Sequence, residues 1–230
     1  MKRSFKSVVS LVLMLAMVFS MVIGSGSLAF ASSKDTEGEL PESLTVNVKY
    51  KDETVTKVYK LDDIKKMNLQ TARYSYIDSF PSVVIAEAKG VYITDILDDM
   101  KVEYNKSNLS KIVLLSVDEG SKNLKYDGLS GSYYPNLALG CTLEDGELTV
   151  SDAETALSEA ESVDAMLALE CDWRRVDCGK TFEDSQTEEA NETYFRYMPV
   201  ANEKTTKSAN VTASNSLKWV YQMDVTIDAN

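Results

Sequence analysis

The chain of 230 residues contains no histidine. Histidine is the side chain that most often acts as a general base near neutral pH, so Ser-His-Asp and Cys-His nucleophilic systems cannot be assembled within this chain. A His-ligated zinc or iron site is excluded as well. The three cysteines have no CxxC spacing, which disfavours a thiolate metal site and covalent c-type haem. Paired carboxylates for glycoside hydrolysis remain open, but acids are too abundant for one pair to stand out.

Basic residues are scarce, because 24 lysines and arginines stand against 36 aspartates and glutamates. A chain with this excess of negative charge repels phosphate groups, which argues against nucleic acid and anionic membrane surfaces as partners. The acids are concentrated between positions 141 and 199, where 16 of them accompany four basic residues. A solvated surface explains this run more simply than a cation site does, and it contains no EF-hand-like loop.

Long apolar runs are also rare, and the only one extends from Val8 to Ile23. It follows three basic residues, precedes the sequence Ala-Phe-Ala at 29–31, and is shorter than the roughly 20 residues that a membrane span needs. This pattern predicts a cleaved secretory signal peptide over residues 1–31, with an uncleaved membrane anchor as the alternative. We therefore expect a secreted protein, or one associated with the cell surface, that has no stable membrane insertion after cleavage.

The rest of the chain is expected to form one module behind a short leader. Residues 32–43 are polar and acidic, and they contain too little apolar surface to fold alone, so they are interpreted as a flexible acidic leader. The module then covers residues 44–230. A chain of this length can bury a core that is stable without disulfides.

The apolar patterns predict an α+β fold of mixed, mainly antiparallel sheets with short helices. A first β-hairpin is expected from Leu44 to Leu61 with its turn at Lys51-Asp52, and a short helix then continues to Met67. The other predicted elements are a strand covered on both faces at the sheet centre (Ile112–Leu115), a helix from Ala153 to Val163 behind a capping box (Ser151–Glu154), a strand from Tyr194 to Met198, and a closing strand that buries Leu217, Trp219, Tyr221, Met223, Val225 and Ile227.

The block YSYIDSFPSVVIAEAKGVYITDIL, from Tyr74 to Leu97, combines an alternating strand, a proline, a Gly-Val pair and a helix start with Thr94 as the expected cap. Its order of strand, loop, Gly-Val, short helix and apolar strand resembles the molybdopterin-binding domain of sulfite-oxidase-like enzymes. The resemblance is to secreted versions of that domain in Gram-positive bacteria. It implies a sulfite-oxidase molybdopterin-domain-like fold.

The later parts of the chain match that family less evenly. The Tyr-Tyr-Pro sequence at 133–135 is similar to a loop that follows the apolar strand in the exported relatives. The resemblance covers Leu44 to Gly140 and, loosely, Tyr194 to Ile227. The segment from about 141 to 193 has no counterpart, and it is interpreted as an acidic insert.

In the catalytic members of this family, a cysteine in the segment that matches Tyr74 to Ile77 binds molybdenum through its thiolate. This chain has Tyr-Ser-Tyr-Ile there, and its first cysteine is Cys141. A phenol, with a pKa of about 10, is a harder and poorer ligand for this metal than a thiolate. No cofactor, catalytic residue or metal ligand is therefore expected. The alternative retains molybdopterin as the cofactor, with Cys141 as the only candidate ligand of the metal.

A pocket that lost its metal ligand can be lined by aromatic residues and hold another small ligand. The candidate lining residues are Tyr74, Tyr76, Phe80, Tyr133 and Tyr134. The alternative is that the loop aromatics only plug the edge of the sheet. The chain is thus interpreted as a non-catalytic binding or surface-associated module whose partner is an unknown small ligand or an extracellular protein. The second hypothesis is an extracytoplasmic molybdopterin-dependent oxidoreductase with a non-standard metal ligand.

Three cysteines in an exported protein permit at most one disulfide. Cys171 and Cys178 are closest in sequence and form the candidate pair, which leaves Cys141 as the odd thiol. The open alternative is that all three cysteines are small buried apolar side chains.

Overall fold

The computed structural model describes residues 40–77, 82–185, 188–201 and 216–228. The predicted signal peptide, residues 32–39 of the predicted leader and the candidate pocket residue Phe80 lie outside the described residues. Within the described ranges, no helix is long and apolar enough to span a membrane.

Thirteen strands and three short helices make up the described part of the chain. The strands are β1 (Ser43–Tyr50), β2 (Glu53–Lys60), β3 (Gln70–Ile77), β4 (Val83–Tyr92), β5 (Leu109–Ser116), β6 (Ser121–Leu124), β7 (Ser130–Tyr133), β8 (Cys141–Glu144), β9 (Glu147–Val150), β10 (Glu161–Asp164), β11 (Met166–Val176), β12 (Glu188–Met198) and β13 (Val220–Ile227). The helices are α1 (Leu61–Lys65), α2 (Ile93–Asp99) and α3 (Ala153–Ala156), and 3-10 turns lie at Tyr126–Gly128 and Leu137–Gly140.

Two larger sheets organise these strands. The first has the order β2-β1-β13-β5-β6 and the second has the order β12-β11-β4-β3. The pair β1 and β13 is parallel, while the other pairs in both sheets are antiparallel. Two further antiparallel pairs, β7 with β10 and β8 with β9, stand apart from them. This confirms the expected α+β class with mainly antiparallel sheets and short helices.

The first hairpin forms as predicted. Strands β1 and β2 pair from Ser43 opposite Lys60 to Tyr50 opposite Glu53, and Lys51 starts the turn with a φ of 54°. The helix α1 follows directly and buries Ile64. Local signals were sufficient here because the strands, the turn and the helix are neighbours in sequence.

The second sheet is buried on both faces. Along β11, Leu167 and Leu169 join one hydrophobic core, which lies against the first sheet, while Met166 and Ala168 join a second core on the opposite face. The predicted acidic insert therefore supplies an inner strand of this sheet, between β12 and β4. The acidic residues of this segment interrupt the apolar pattern of β11, although the core of the module depends on that strand.

A glycine allows the closest approach in this sheet. Gly90 of β4 pairs with Ala168, where β11 changes register between Ala168 and Glu170. A Cβ atom on Gly90 would lie 2.2 Å from the backbone oxygen of Leu167 and 2.6 Å from the Cα atom of Ala168. The Gly-Val pair at 90–91 is thus required by backbone packing against β11.

Two helix predictions were wrong. The helix α2 begins at Ile93 with Tyr92 as its N-cap, so Thr94 lies inside the first turn and does not cap it. The helix predicted from Ala153 to Val163 stops at Ala156, and Val163 belongs to β10. Asp152 is the N-cap of this short helix, and its carboxylate accepts a hydrogen bond from the backbone N–H of Thr155.

Two strand predictions were also corrected. The centre of the first sheet is β13, and β5 lies beside it with one face buried and the other half-exposed. In the closing strand, Trp219 has a φ of 54° and the register shifts between Val220 and Gln222. This irregularity leaves Trp219 half-buried, buries Val220 and turns Tyr221 outward, whereas Met223, Val225 and Ile227 keep the predicted alternation.

The substitution Gly90→Ala should destabilise the fold by at least about 2 kcal/mol, because its methyl group would meet backbone atoms that cannot move aside without opening β11. The free energy of unfolding in urea measures this cost. The matched control is Gly128→Ala, whose new Cβ atom would have Leu124 Cβ as its nearest neighbour at 3.8 Å, and which should change stability by no more than about 0.5 kcal/mol. Equal effects of the two substitutions would contradict the close approach of β4 and β11.

Candidate functional site

The tyrosines of β3 lie within an aromatic stack. The rings of Tyr74 and Tyr76 are 6.4 Å apart and nearly parallel, and Trp173 of β11 stacks on Tyr76 at 5.7 Å. The guanidinium group of Arg196 lies over the Trp173 ring, 3.8 Å from its centre. The Tyr76–Trp173 contact spans β4, and stacking of this kind stabilises packing across the face of the sheet.

Both tyrosine hydroxyls are already engaged by the protein. Tyr74 and Tyr76 are each 1% exposed, and their hydroxyls donate to the carbonyl oxygens of Asp164 at 2.8 Å and Pro199 at 3.0 Å. Burial raises the pKa of both phenols well above the ordinary value. They are therefore protonated and bonded to the backbone, and this arrangement favours a structural role over ligand contact.

Tyr133 and Tyr134 lie in the same core as the β3 tyrosines. All four belong to the second core, and the backbone N–H of Tyr134 donates to the Ser75 hydroxyl at 3.0 Å. Both loop tyrosines are buried. This agrees with the alternative in which the loop aromatics plug the edge of the sheet, and the two clefts described below are lined by other residues.

The residues present here do not fit a molybdenum-bound pterin. Cys141, the only candidate ligand, is 4% exposed in the second core, and burial raises the pKa of its thiol to about 12. A buried, protonated thiol lacks the charge and the access that a metal ligand needs. Within the described part of the chain, no three acidic or cysteine side chains are arranged to hold a metal ion.

The length of β11 argues against the candidate disulfide between Cys171 and Cys178. All three cysteines are free thiols, and Cys171 lies in the middle of β11, which continues to Val176. Five residues of strand extend about 16 Å, and the two residues to Cys178 can retrace only about 7 Å. The Cα atoms thus stay farther apart than the roughly 7 Å that a disulfide tolerates.

Two adjacent surface clefts are candidate binding sites. The first has a volume of about 430 Å³ and lies between the open end of β1, β2 and β13 and the segment after α2. Its lining is largely apolar, and it consists of Val48, Tyr50, Val55, Met100, Lys101, Val102, Glu103, Asn108, Ile227 and Asp228. This volume is in the range of small-molecule sites.

The second cleft shares Val102, Glu103 and Asn108 with the first and has a volume of about 490 Å³. Its other lining residues are Asp98, Tyr104, Asn105 and Tyr126. The rings of Tyr104 and Tyr126 are 6.4 Å apart and tilted by 56°, and Tyr126 is 37% exposed. A half-buried and an exposed tyrosine beside carboxylates are suited to an organic cation.

The segment between the clefts, residues 101–108, is fixed by its own hydrogen bonds. The Asn108 side chain accepts from the backbone N–H of Asn105 at 2.6 Å and donates to the Glu103 carbonyl at 3.2 Å. Its backbone carbonyl accepts from the N–H of Asp228 at 2.8 Å, which joins the segment to the end of β13. Asn108 is buried, so a ligand would meet a preformed wall.

The electrostatic field at the second cleft is negative. Burial and then the charge of Asp98 raise the pKa of Tyr104. Burial also raises the pKa of Asp95, and the nearby carboxylates Asp98 and Asp164 add to the shift. Lys106, which follows the lining residue Asn105, is held by Asp127 at 2.8 Å, and the lining of the second cleft has no basic residue. A cation entering this cleft would therefore be attracted.

Sequence reasoning did not find these clefts. The first cleft lies between the polar segment after α2 and the strands β1, β2 and β13, so its walls come from parts of the chain that are far apart in sequence. The available signal was Tyr104, an aromatic residue between charged and amide neighbours in the run KVEYNKSN. An aromatic residue in a polar loop indicates a binding role more often than a packing role.

The sequence was also compared with known proteins. No protein-family model matches it, and no curated protein and no solved structure matches it either. Any function for this chain must therefore be argued from its own residues.

Replacing Asn108 by alanine should cost about 1–3 kcal/mol, because the buried side-chain amide is lost together with its hydrogen bonds to the Asn105 N–H and the Glu103 carbonyl. Chemical denaturation measures the loss. Asn123→Ala, at an exposed position of β6, is the matched control and should be neutral within about 0.5 kcal/mol. A neutral Asn108→Ala variant would show that the cleft wall is not fixed by this side chain.

Proposed function

We propose that this chain is an exported, non-catalytic binding module that takes a small amphipathic organic cation. The observation that carries the proposal is the pair of clefts that share Val102, Glu103 and Asn108, one apolar and the other aromatic and acidic. A ligand with an apolar tail and a cationic head would satisfy both clefts at once.

The first cleft supplies contacts for the apolar part of such a ligand. Val48 and Ile227 form its buried floor, and Val55, which is largely exposed on the edge strand β2, stands at its rim. Covering exposed apolar side chains contributes roughly 25 cal/mol for each Å² removed from water. An aliphatic tail is favoured here over a polar group.

The second cleft supplies contacts for the cationic part. Asp98 and Glu103 line it without a basic lining residue, and the faces of Tyr104 and Tyr126 are within reach of the same space. Cation–π contact at an exposed site contributes about 0.5–1 kcal/mol for each ring. The negative field would repel an anionic ligand of the same shape.

The finer identity of the fold is part of this proposal. The order β4, the Gly90-Val91 pair, α2 and β5 supports a scaffold like the molybdopterin-binding domain of sulfite-oxidase-like enzymes. Tyr74 and Tyr76, which stand where a thiolate would be, are engaged in packing. We infer inherited architecture without the redox chemistry, and the N-terminal pattern at residues 1–31 supports export of the protein.

Octyltrimethylammonium, titrated below its micelle concentration and followed by calorimetry, tests this function. It should bind, whereas octyl sulfate of the same chain length should bind at least about tenfold more weakly. Tyr104→Ala and Tyr126→Ala should each weaken binding of the cation about fivefold, through loss of a cation–π contact. Tyr221→Ala, which removes a tyrosine with the same 37% exposure from another part of the surface, should leave the affinity unchanged.

Three results would overturn the proposal. Equal affinity for the cation and the anion would mean that the field at the second cleft has no role. Unchanged binding by both tyrosine variants would place the ligand elsewhere. Binding of neither amphiphile would favour an extracellular protein as the partner in place of a small molecule.

A further inference from the structure

Two cysteines that are far apart in sequence lie in the same part of the second core. Cys141 begins β8 directly after the 3-10 turn Leu137–Gly140, and Cys178 follows the end of β11. The backbone N–H of Gly179 donates to the Ala138 carbonyl at 2.9 Å, which joins the turn after β11 to the turn before β8. Both thiols pack against the second core.

The electrostatics agree with this proximity. Burial raises the pKa of the Cys141 thiol, and the neighbouring Cys178 thiol adds to this shift. Burial raises the pKa of the third cysteine, Cys171, whose charged neighbours are Arg196 and Asp172. The length of β11 separates Cys171 from Cys178. The hydrogen bond between the two turns therefore favours Cys141 and Cys178 as the reacting pair.

We propose that Cys141 and Cys178 form a disulfide when the protein is exposed to a disulfide-bonded oxidant. The proposal shares with the proposed function only the export of the chain from the reducing cytoplasm. It does not involve the clefts or their ligand.

The solvent exposure of the two thiols determines which cysteine reacts first. Cys178 is the more accessible thiol, so its thiolate attacks the oxidant disulfide first, forms a mixed disulfide and releases one thiolate of the oxidant. Cys141 then loses its proton to solvent, and its sulfur attacks the sulfur of Cys178, which displaces the second thiolate of the oxidant. Two protein thiols are thus oxidised, and the oxidant disulfide is reduced to two thiols.

This bond would close the acidic segment into a loop. The residues between the two cysteines include the β8–β9 pair, α3, β10 and the inner strand β11. Because a cross-link over a loop of this length restricts the unfolded chain, reduction should lower the melting temperature by about 5–10 °C. The bond would therefore constrain the part of the chain that has the greatest negative charge.

The test uses the whole protein, equilibrated with oxidised and reduced glutathione, denatured without reductant and alkylated. Mass spectrometry should find one alkylated cysteine, Cys171, and a linked peptide pair that contains Cys141 and Cys178. Cys171→Ala is the control, and it should form the same linked pair with no alkylated cysteine. Cys178→Ala should leave both remaining cysteines alkylated.

Alkylation of all three cysteines in the oxidised protein would overturn the proposal. A linked peptide that contains Cys171 would also overturn it, because Cys141 and Cys178 would then not be the reacting pair. Since these readouts are masses of covalent species, they decide the question even if a variant is less stable. They are also independent of whether octyltrimethylammonium binds.

Discussion

The pairing of β4 with β11 is the contact on which the rest of the structure depends. At Gly90 the two backbones are so close that a single methyl group would meet the carbonyl of Leu167 at 2.2 Å. Consecutive residues of β11 alternate between two cores, because the side chains of a strand point to opposite faces of the sheet. One core closes the second sheet against the first sheet, and the other holds the aromatic stack.

This arrangement explains why the tyrosines of β3 are part of the architecture. Because Trp173 of β11 packs against Tyr76, the Tyr76 ring is buried. Its hydroxyl then needs a hydrogen-bond partner, which the Pro199 carbonyl provides. A position that resembles a redox site in sequence is thereby filled by packing. The open surface lies at the end of the first sheet, where the segment 101–108 separates two clefts.

The sequence predicted those features that depend on neighbours in the chain. The turn at Lys51-Asp52 and the helix from Leu61 are local, and both were found. The strand β11 was missed because Glu170, Asp172 and two arginines interrupt its apolar pattern, although the strand is interior. The helix beyond Ala156 was overestimated because Glu159 adopts a φ of 55°, which ends the helical path. The clefts could not be predicted, since they form only when β2 and β13 meet the segment after α2.

Hydrogen exchange, resolved to single residues with and without octyltrimethylammonium, tests the account most directly. The amides of β4 and β11 should exchange slowest in the free protein, because this pairing opens only with the whole fold. The cation should slow exchange at residues 101–108 and around Tyr126, and it should leave β3 unchanged. Protection that appears at Tyr74 and Tyr76, with none at 101–108, would contradict the account and return the ligand site to the aromatic stack.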